Sequence, residues 1–368
     1  MTIIFSENPE NDLWRELLQF TYQANIKRYL AKKGHEVDED TINCIAGSFL
    51  QANEYYKAAK EDNLQISPLL LYYGSTNLLY GMVNLLSGSI NKISNHGMKI
   101  FIPDQMNFIA DTKIRFLSPV DGGVHVVARA IGVTSDLTGF GDWSLREFLD
   151  SIAEIQFDFT QCYDVQTSCT IMLDIFNTPD GKAEKIYFSE ENKDHLIELL
   201  KKVEGLEKSY LRFTSAADFK TGKEYFVLRH KLTGEDISKQ SYSGQPYLQA
   251  GHIKNSKLIT IPTLLNIYIS LFALSSLCRY FPERWSPFVL KDITGEKLLI
   301  EKFMFYARRL VPNYVLNNLL ENTIQYSSSR YTATDTVKLV GEHQVQEMIE
   351  KKVHNELEKQ HIDFKDKR

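Results

Sequence analysis

The sequence predicts a predominantly helical α+β protein, with helical N- and C-terminal parts packed together around a mixed α/β central part. Three observations predict it. Two apolar stretches far apart in the chain, Leu69–Tyr80 and Leu274–Trp285, are studded with small and aromatic residues and read as helices. Between them, short runs of β-branched and aromatic residues are separated by Pro- and Gly-bearing turns, the pattern of strands. Helical periodicity marks both ends of the chain. The expected parts are residues 1–110, helical; 111–257, mixed; 258–335, helical and packing on the first; and 336–368, an amphipathic C-terminal helix.

The elements follow in order. Leu13, Trp14, Leu17, Leu18, Tyr22, Ile26 and Leu30 recur at helical spacing from Asp12 to Lys32, and Gly34 supplies a stop. A second helix is expected from Thr41 to about Lys60. A third opens at Ser67-Pro68, an N-cap followed by proline at the first helical position, and runs to about Leu86. Gly74, Gly81 and Gly88 recur every seven residues along and just past it. Each glycine costs roughly 1 kcal/mol against alanine, so the series predicts close approach of a neighbour, here the helix expected over Thr263–Tyr280.

In the centre, Lys113–Leu117 and Val124–Ile131 read as strands joined by the turn Pro119-Val120-Asp121-Gly122-Gly123. Ser144 with Glu147 three residues on makes a capping box for a short helix over Ser144–Ile155. Strands are expected at Thr170–Asn177, Ala183–Phe188, Tyr210–Thr214 and Glu224–Arg229, with a helix at Glu190–Val203. Lys231–Asn255 is polar and glycine-bearing and reads as a long ordered loop. Helices return at Thr263–Tyr280, Gly295–Leu310 and Pro312–Tyr326. In the tail, Val345, Ile349, Val353 and Leu357 form an apolar stripe amid alternating charges, expected to be an interaction surface.

Composition narrows the function classes. A net charge of −5 lacks the basic footprint of non-specific nucleic-acid binding, so no nucleic-acid partner is expected. The N-terminus has no signal-peptide pattern, and the four cysteines have no paired spacing; they read as reduced thiols of a cytoplasmic protein. Leu258–Cys278 is long enough to span a bilayer, but its Thr, Asn, Ser and Pro residues dilute it, and a buried helix is expected instead. No Walker, G-x-G-x-x-G or G-x-S-x-G motif occurs, and no Cys/His cluster, so neither a cofactor nor a metal is expected. His96 follows the third helix and reads as a turn histidine at its end, with a ligand-binding role as the alternative. Arg28 and His35 have the spacing of a HEPN-type ribonuclease pair, a match that chance alone readily produces.

Several landmarks fall in one order: Trp14; Pro68 to Asn77 (P-L-L-L-Y-Y-G-S-T-N); His96-Gly97-Met98; Ser144–Leu149; and Leu274–Trp285 (L-S-S-L-C-R-Y-F-P-E-R-W). With these the chain resembles the YaaC-like family over about residues 10 to 325. The resemblance implies a cytoplasmic bacterial protein without an established enzymatic activity, and some members are implicated in antiphage defence. The expected function is therefore a non-enzymatic sensor that detects an early infection structure, a phage component or vesicle, and recruits a protein effector. A HEPN-like ribonuclease and a peripheral membrane protein are the alternatives, and a homo-oligomer is possible. No catalytic residue is expected; the binding candidates are Tyr72, Tyr73, Asn77, His96, Arg279, Tyr280 and Trp285.

Overall fold

The computed structural model describes residues 2–327, apart from 37, 60–62, 119–120, 134–135, 166–167, 179–180, 218–221, 232–236 and 243. The Val345–Leu357 stripe and the rest of the 336–368 segment lie outside the described residues.

The chain opens with β1 (Thr2–Phe5), followed by α1 (Pro9–Leu18), α2 (Gln23–Lys32), α3 (Glu39–Ala58) and α4 (Ser67–Ser87). The predicted Asp12–Lys32 helix is two helices. A 3-10 turn at Gln19–Thr21 and an extended Tyr22 break it, and the break turns Phe20 into the core against Tyr29 and Phe49. Asp38 caps α3 by accepting the Thr41 amide, while Gly88 ends α4 in the left-handed conformation.

Helix α4 is the centre of the helical body, packed against α3, α12 (Glu296–Leu320) and α10 (Thr263–Tyr280). Its contact with α10 agrees with the sequence expectation; the place of the glycines does not. A Cβ on Gly74 would meet Tyr56 at 2.8 Å, and one on Gly81 would meet Phe49 at 3.0 Å, so both glycines face α3. Two helices compete for α4, and the bulky Tyr55, Tyr56 and Phe49 side chains of α3 need the cleared face.

The centre contains β2 (Met98–Phe101), β3 (Lys113–Phe116), α5 (Gly123–Ala130), β4 (Asp142–Ser144), α6 (Leu145–Leu149) and α7 (Gln156–Tyr163). The segment expected as a strand over Val124–Ile131 is helix α5. Its valines are buried against α4 and α10, so tertiary burial overrides their β preference. β3 pairs instead with β2 and β4, all antiparallel. The Ser144–Glu147 capping box forms as predicted.

A second, smaller core gathers residues from Cys169 to Ala250. It holds β5 (Thr170–Met172), β6 (Asp174–Thr178), β7 (Gly181–Phe188), α8 (Lys193–Leu200), α9 (Leu206–Ser209), β8 (Tyr210–Ala217) and β9 (Glu224–His230). The order β6-β7-β9-β8 makes one antiparallel sheet. The expected loop over Lys231–Asn255 carries three strands, β10 (Lys239–Gln240), β11 (Pro246–Gln249) and β12 (His252–Lys254). They are too short to show alternation, and long-range pairing makes them: β11 lies between β10 and β5, and β12 pairs with β13 (Lys257–Ile259).

Helix α10 is buried from Thr263 to Leu277, and α11 (Pro282–Lys291) leaves it at 103°. Among the described residues no single helix is long and apolar enough to cross a membrane. Trp285 lies within α11. It is 1% exposed, and its indole N–H donates to the Leu64 carbonyl at 3.1 Å. The two helices expected on either side of Pro312 are one, α12, because burial of Leu310, Val311, Val315 and Leu316 compensates the bond that proline removes. β14 (Ile324–Ser327) closes the fold by pairing parallel to β1.

Candidate functional site

Five of the seven binding candidates line one cleft. Tyr72 and Tyr73 come from α4, His96 from the turn before β2, and Arg279 and Tyr280 from the last turn of α10. The cleft has a volume of about 300 Å³ and is completed by Lys99, Phe272, Ser275 and Ser276, among others. Larger cavities exist elsewhere, but none of these five residues lines them.

Local structure explains the placement. Largely apolar sequence buries α4 and α10 side by side, which stacks Tyr72 on Tyr268 at 5.5 Å between ring centroids. The His96 turn is held by a close backbone crossing: a Cβ on Gly122 would lie 2.3 Å from the Gly97 Cα. Gly97 also has φ +74°, and its amide is fixed by the Asn95 side chain at 2.7 Å. The Asp121-Gly122-Gly123 stretch that resembled a hairpin turn thus serves the crossing. The Val124 amide donates to the His96 carbonyl from the start of α5.

The inner wall is aromatic. Tyr72 meets His96, Phe272 and Tyr73 at centroid separations of 5.4, 5.6 and 5.6 Å. Its hydroxyl lies 2.7 Å from His96 Nδ1. Burial holds the Tyr72 phenol well above its ordinary value, so it stays protonated. Burial of the ring against Tyr72 and Phe272, and then the nearby Arg279, draw His96 below its ordinary value. The imidazole is therefore neutral near pH 7, with Nδ1 paired to the Tyr72 hydroxyl.

Cations form the outer wall. Arg279 Nη1 donates to the Tyr73 hydroxyl at 2.7 Å, and its guanidinium lies over the Tyr280 ring at 4.9 Å. Lys99 adds a second positive charge, and none of the lining residues is acidic. Flat aromatic surface, two buried serines and an uncompensated cationic rim suit an anionic group joined to an apolar or planar body.

Asn77 and Trp285 do not line the cleft. The Asn77 amide donates to the Tyr73 carbonyl at 2.9 Å, and Trp285 anchors α11. Arg28 is exposed and bonds Asn25 on its own helix, while His35 packs beside Gly88.

The family model for YaaC-like proteins matches residues 11–319. The chain belongs to the YaaC-like family. No curated protein and no solved structure matches it. Tyr72 and Tyr73, His96 and Met98, and Arg279 and Tyr280, which stand apart in the sequence, line one cleft.

Sequence reasoning missed Phe272, Tyr268 and Lys99, which carry no signal until the helices pack. It also missed a group away from the cleft. Asp150, Cys169 and His252 have donor atoms all within 4.8 Å of one another, the one such metal-donor group found among the described residues. All four cysteines are free thiols, and no Cys162–Cys169 bridge forms.

Proposed function

We propose that this YaaC-like protein is a non-enzymatic recognition component of bacterial antiphage defence, acting in the cytoplasm. In this reading it detects an early infection structure and recruits a protein effector, and the Tyr72–Arg279 cleft takes the ligand. The observation that carries the reading is the convergence of Tyr72, Tyr73, His96, Arg279 and Tyr280 around an aromatic cleft with a cationic rim and no acidic lining. A site of this kind binds a phosphate- or carboxylate-bearing molecule through Arg279 and Lys99 while the rings stack on its body.

The test pairs an infection assay with pull-downs from infected and uninfected cells, using wild type, Arg279→Ala and His96→Asn. Both substitutions sit at the accessible side of the cleft and should leave the melting temperature close to wild type. Expected is loss of phage protection and of infection-dependent partner capture in both variants. Full protection by both would sink the reading. So would turnover of RNA, DNA or nucleotides by the pure protein that a cleft substitution abolishes without unfolding it. Salt-dependent pelleting with anionic liposomes, retained in both variants, would favour a membrane-binding role instead.

A further inference from the structure

We propose that Asp150, Cys169 and His252 form a zinc site. The three residues come from separate elements: Asp150 from the C-terminal end of α6, Cys169 from the residue before β5, and His252 from the start of β12. A thiol, an imidazole and a carboxylate are together the donor set of a borderline-soft divalent ion, and magnesium or calcium would not select the thiolate.

The geometry is close to what zinc needs. With Zn–S near 2.3 Å and Zn–N near 2.0–2.1 Å, the S···N edge of a tetrahedral site is about 3.6 Å. Cys169 Sγ and His252 Nδ1 are 3.9 Å apart, within reach of a small side-chain rotation. The third donor is in range, since all three donor atoms lie within 4.8 Å of one another.

Surrounding contacts already orient the donors. Ser151 is 2% exposed, and its hydroxyl lies 3.1 Å from His252 Nε2. A ring N–H on Nε2 donating to Ser151 leaves the Nδ1 lone pair directed at the thiol. That is the outer partner a metal-bound histidine ordinarily has. Trp143 packs edge-on against the same ring at 5.6 Å. The Asp150 carboxylate accepts the Cys169 amide at 2.9 Å, and the Thr170 hydroxyl donates to the Asp150 carbonyl at 3.2 Å. The Ala250 amide donates to the Cys169 carbonyl at 2.7 Å, fixing the strand that delivers His252 beside the thiol.

Charge balances as well. When zinc binds, the Cys169 thiol releases its proton to solvent as the Zn–S bond forms, with no change of oxidation state. Thiolate and carboxylate then cancel the charge of the ion, and a neutral centre is the form a mostly buried site tolerates. A cysteine nucleophile fits less well. Its activating acid would have to hold the imidazole nitrogen remote from sulfur, and here that nitrogen faces Ser151 while Asp150 holds the Cys169 backbone. Three protein ligands leave the fourth position to water.

The test uses the full chain, stripped with chelator and titrated with zinc chloride and, separately, cobalt chloride. Expected are one equivalent of bound metal, a raised melting temperature, and a thiolate-to-cobalt charge-transfer band in the near ultraviolet. Cys169→Ser should remove the band, while Cys44→Ser and Cys162→Ser keep it. Ser151→Ala keeps every donor and should weaken zinc binding about 10- to 100-fold. Zinc should also slow alkylation of Cys169 in the unaltered protein, a readout that needs no variant to fold. Absence of stoichiometric metal, a band that survives Cys169→Ser, or alkylation indifferent to zinc would each overturn the proposal.

Discussion

The Tyr72–Arg279 cleft and the Asp150–Cys169–His252 group are built in opposite ways. The cleft stands mainly on α4 and α10, long helices whose other faces are committed to the main core. The donor group stands on the ends of a five-residue helix and of two three-residue strands. Those strands are held by register, β5 through its pairing with β11 and β12 through its pairing with β13. A site on helix faces keeps its shape while side chains around it adjust. A site on strand ends depends on backbone position, so small displacements there are felt directly at the donors.

Substitutions tell the two sites apart, and the largest effect belongs to the helical body. Trp285 joins α11 to the Leu64 segment, so Trp285→Ala should cost about 3–5 kcal/mol in urea unfolding. A cost below about 1 kcal/mol would mean that α11 is not an anchor of the cleft side.

Next is Gly251, directly before His252. A Cβ there would lie 2.9 Å from the Ile259 carbonyl oxygen and 2.8 Å from Leu258 Cδ1. Backbone cannot step aside, so Gly251→Ala should cost about 1–3 kcal/mol by thermal unfolding and displace His252. Unchanged stability would show that the strand-end site is as adaptable as the helical one.

Gly81 makes the contrasting case. A Cβ there would touch only side-chain atoms, the Phe49 ring at 3.0 Å and Ser48 Cβ at 3.2 Å, while alanine gains roughly 1 kcal/mol of helix propensity. Gly81→Ala should therefore change stability by less than about 1 kcal/mol, and Phe49→Leu should make it more favourable in a double-mutant cycle. Strict additivity would argue that the glycine does not serve the α3 contact.

The smallest effect is a pH slope. Burial, and then the nearby Arg279, hold His96 below the ordinary histidine value of about 6.5. Below that pH the unfolded chain binds more protons than the folded one. Stability present above pH 6.5 or so is thus lost as pH falls toward and through the folded value. Melting temperatures between pH 7.5 and 5 should decline, and His96→Asn should flatten part of the decline. An identical slope in that variant would remove His96 from the account.

The readable parts of the sequence were those with local signals. Uncharged apolar runs announced α4 and α10, Ser67-Pro68 and Ser144/Glu147 announced helix starts, and the family landmarks named five residues of the cleft. Where the signal was ambiguous, packing decided. Val124–Val127 has the composition of a strand and the burial of a helix, and Pro312 looks like a stop yet lies inside α12.

The sequence by itself determined which segments must be buried, where several helices begin, and which family the landmarks resemble, because those properties depend on neighbours a few residues away. Only the tertiary structure decided that Gly74 and Gly81 face α3 and that Tyr72 reaches His96. It alone brought Asp150, Cys169 and His252 within 4.8 Å of one another. Each of those contacts joins residues far apart in the chain. Their proximity follows from the register of strands and the rotation of helices in a shared core, which no local pattern encodes.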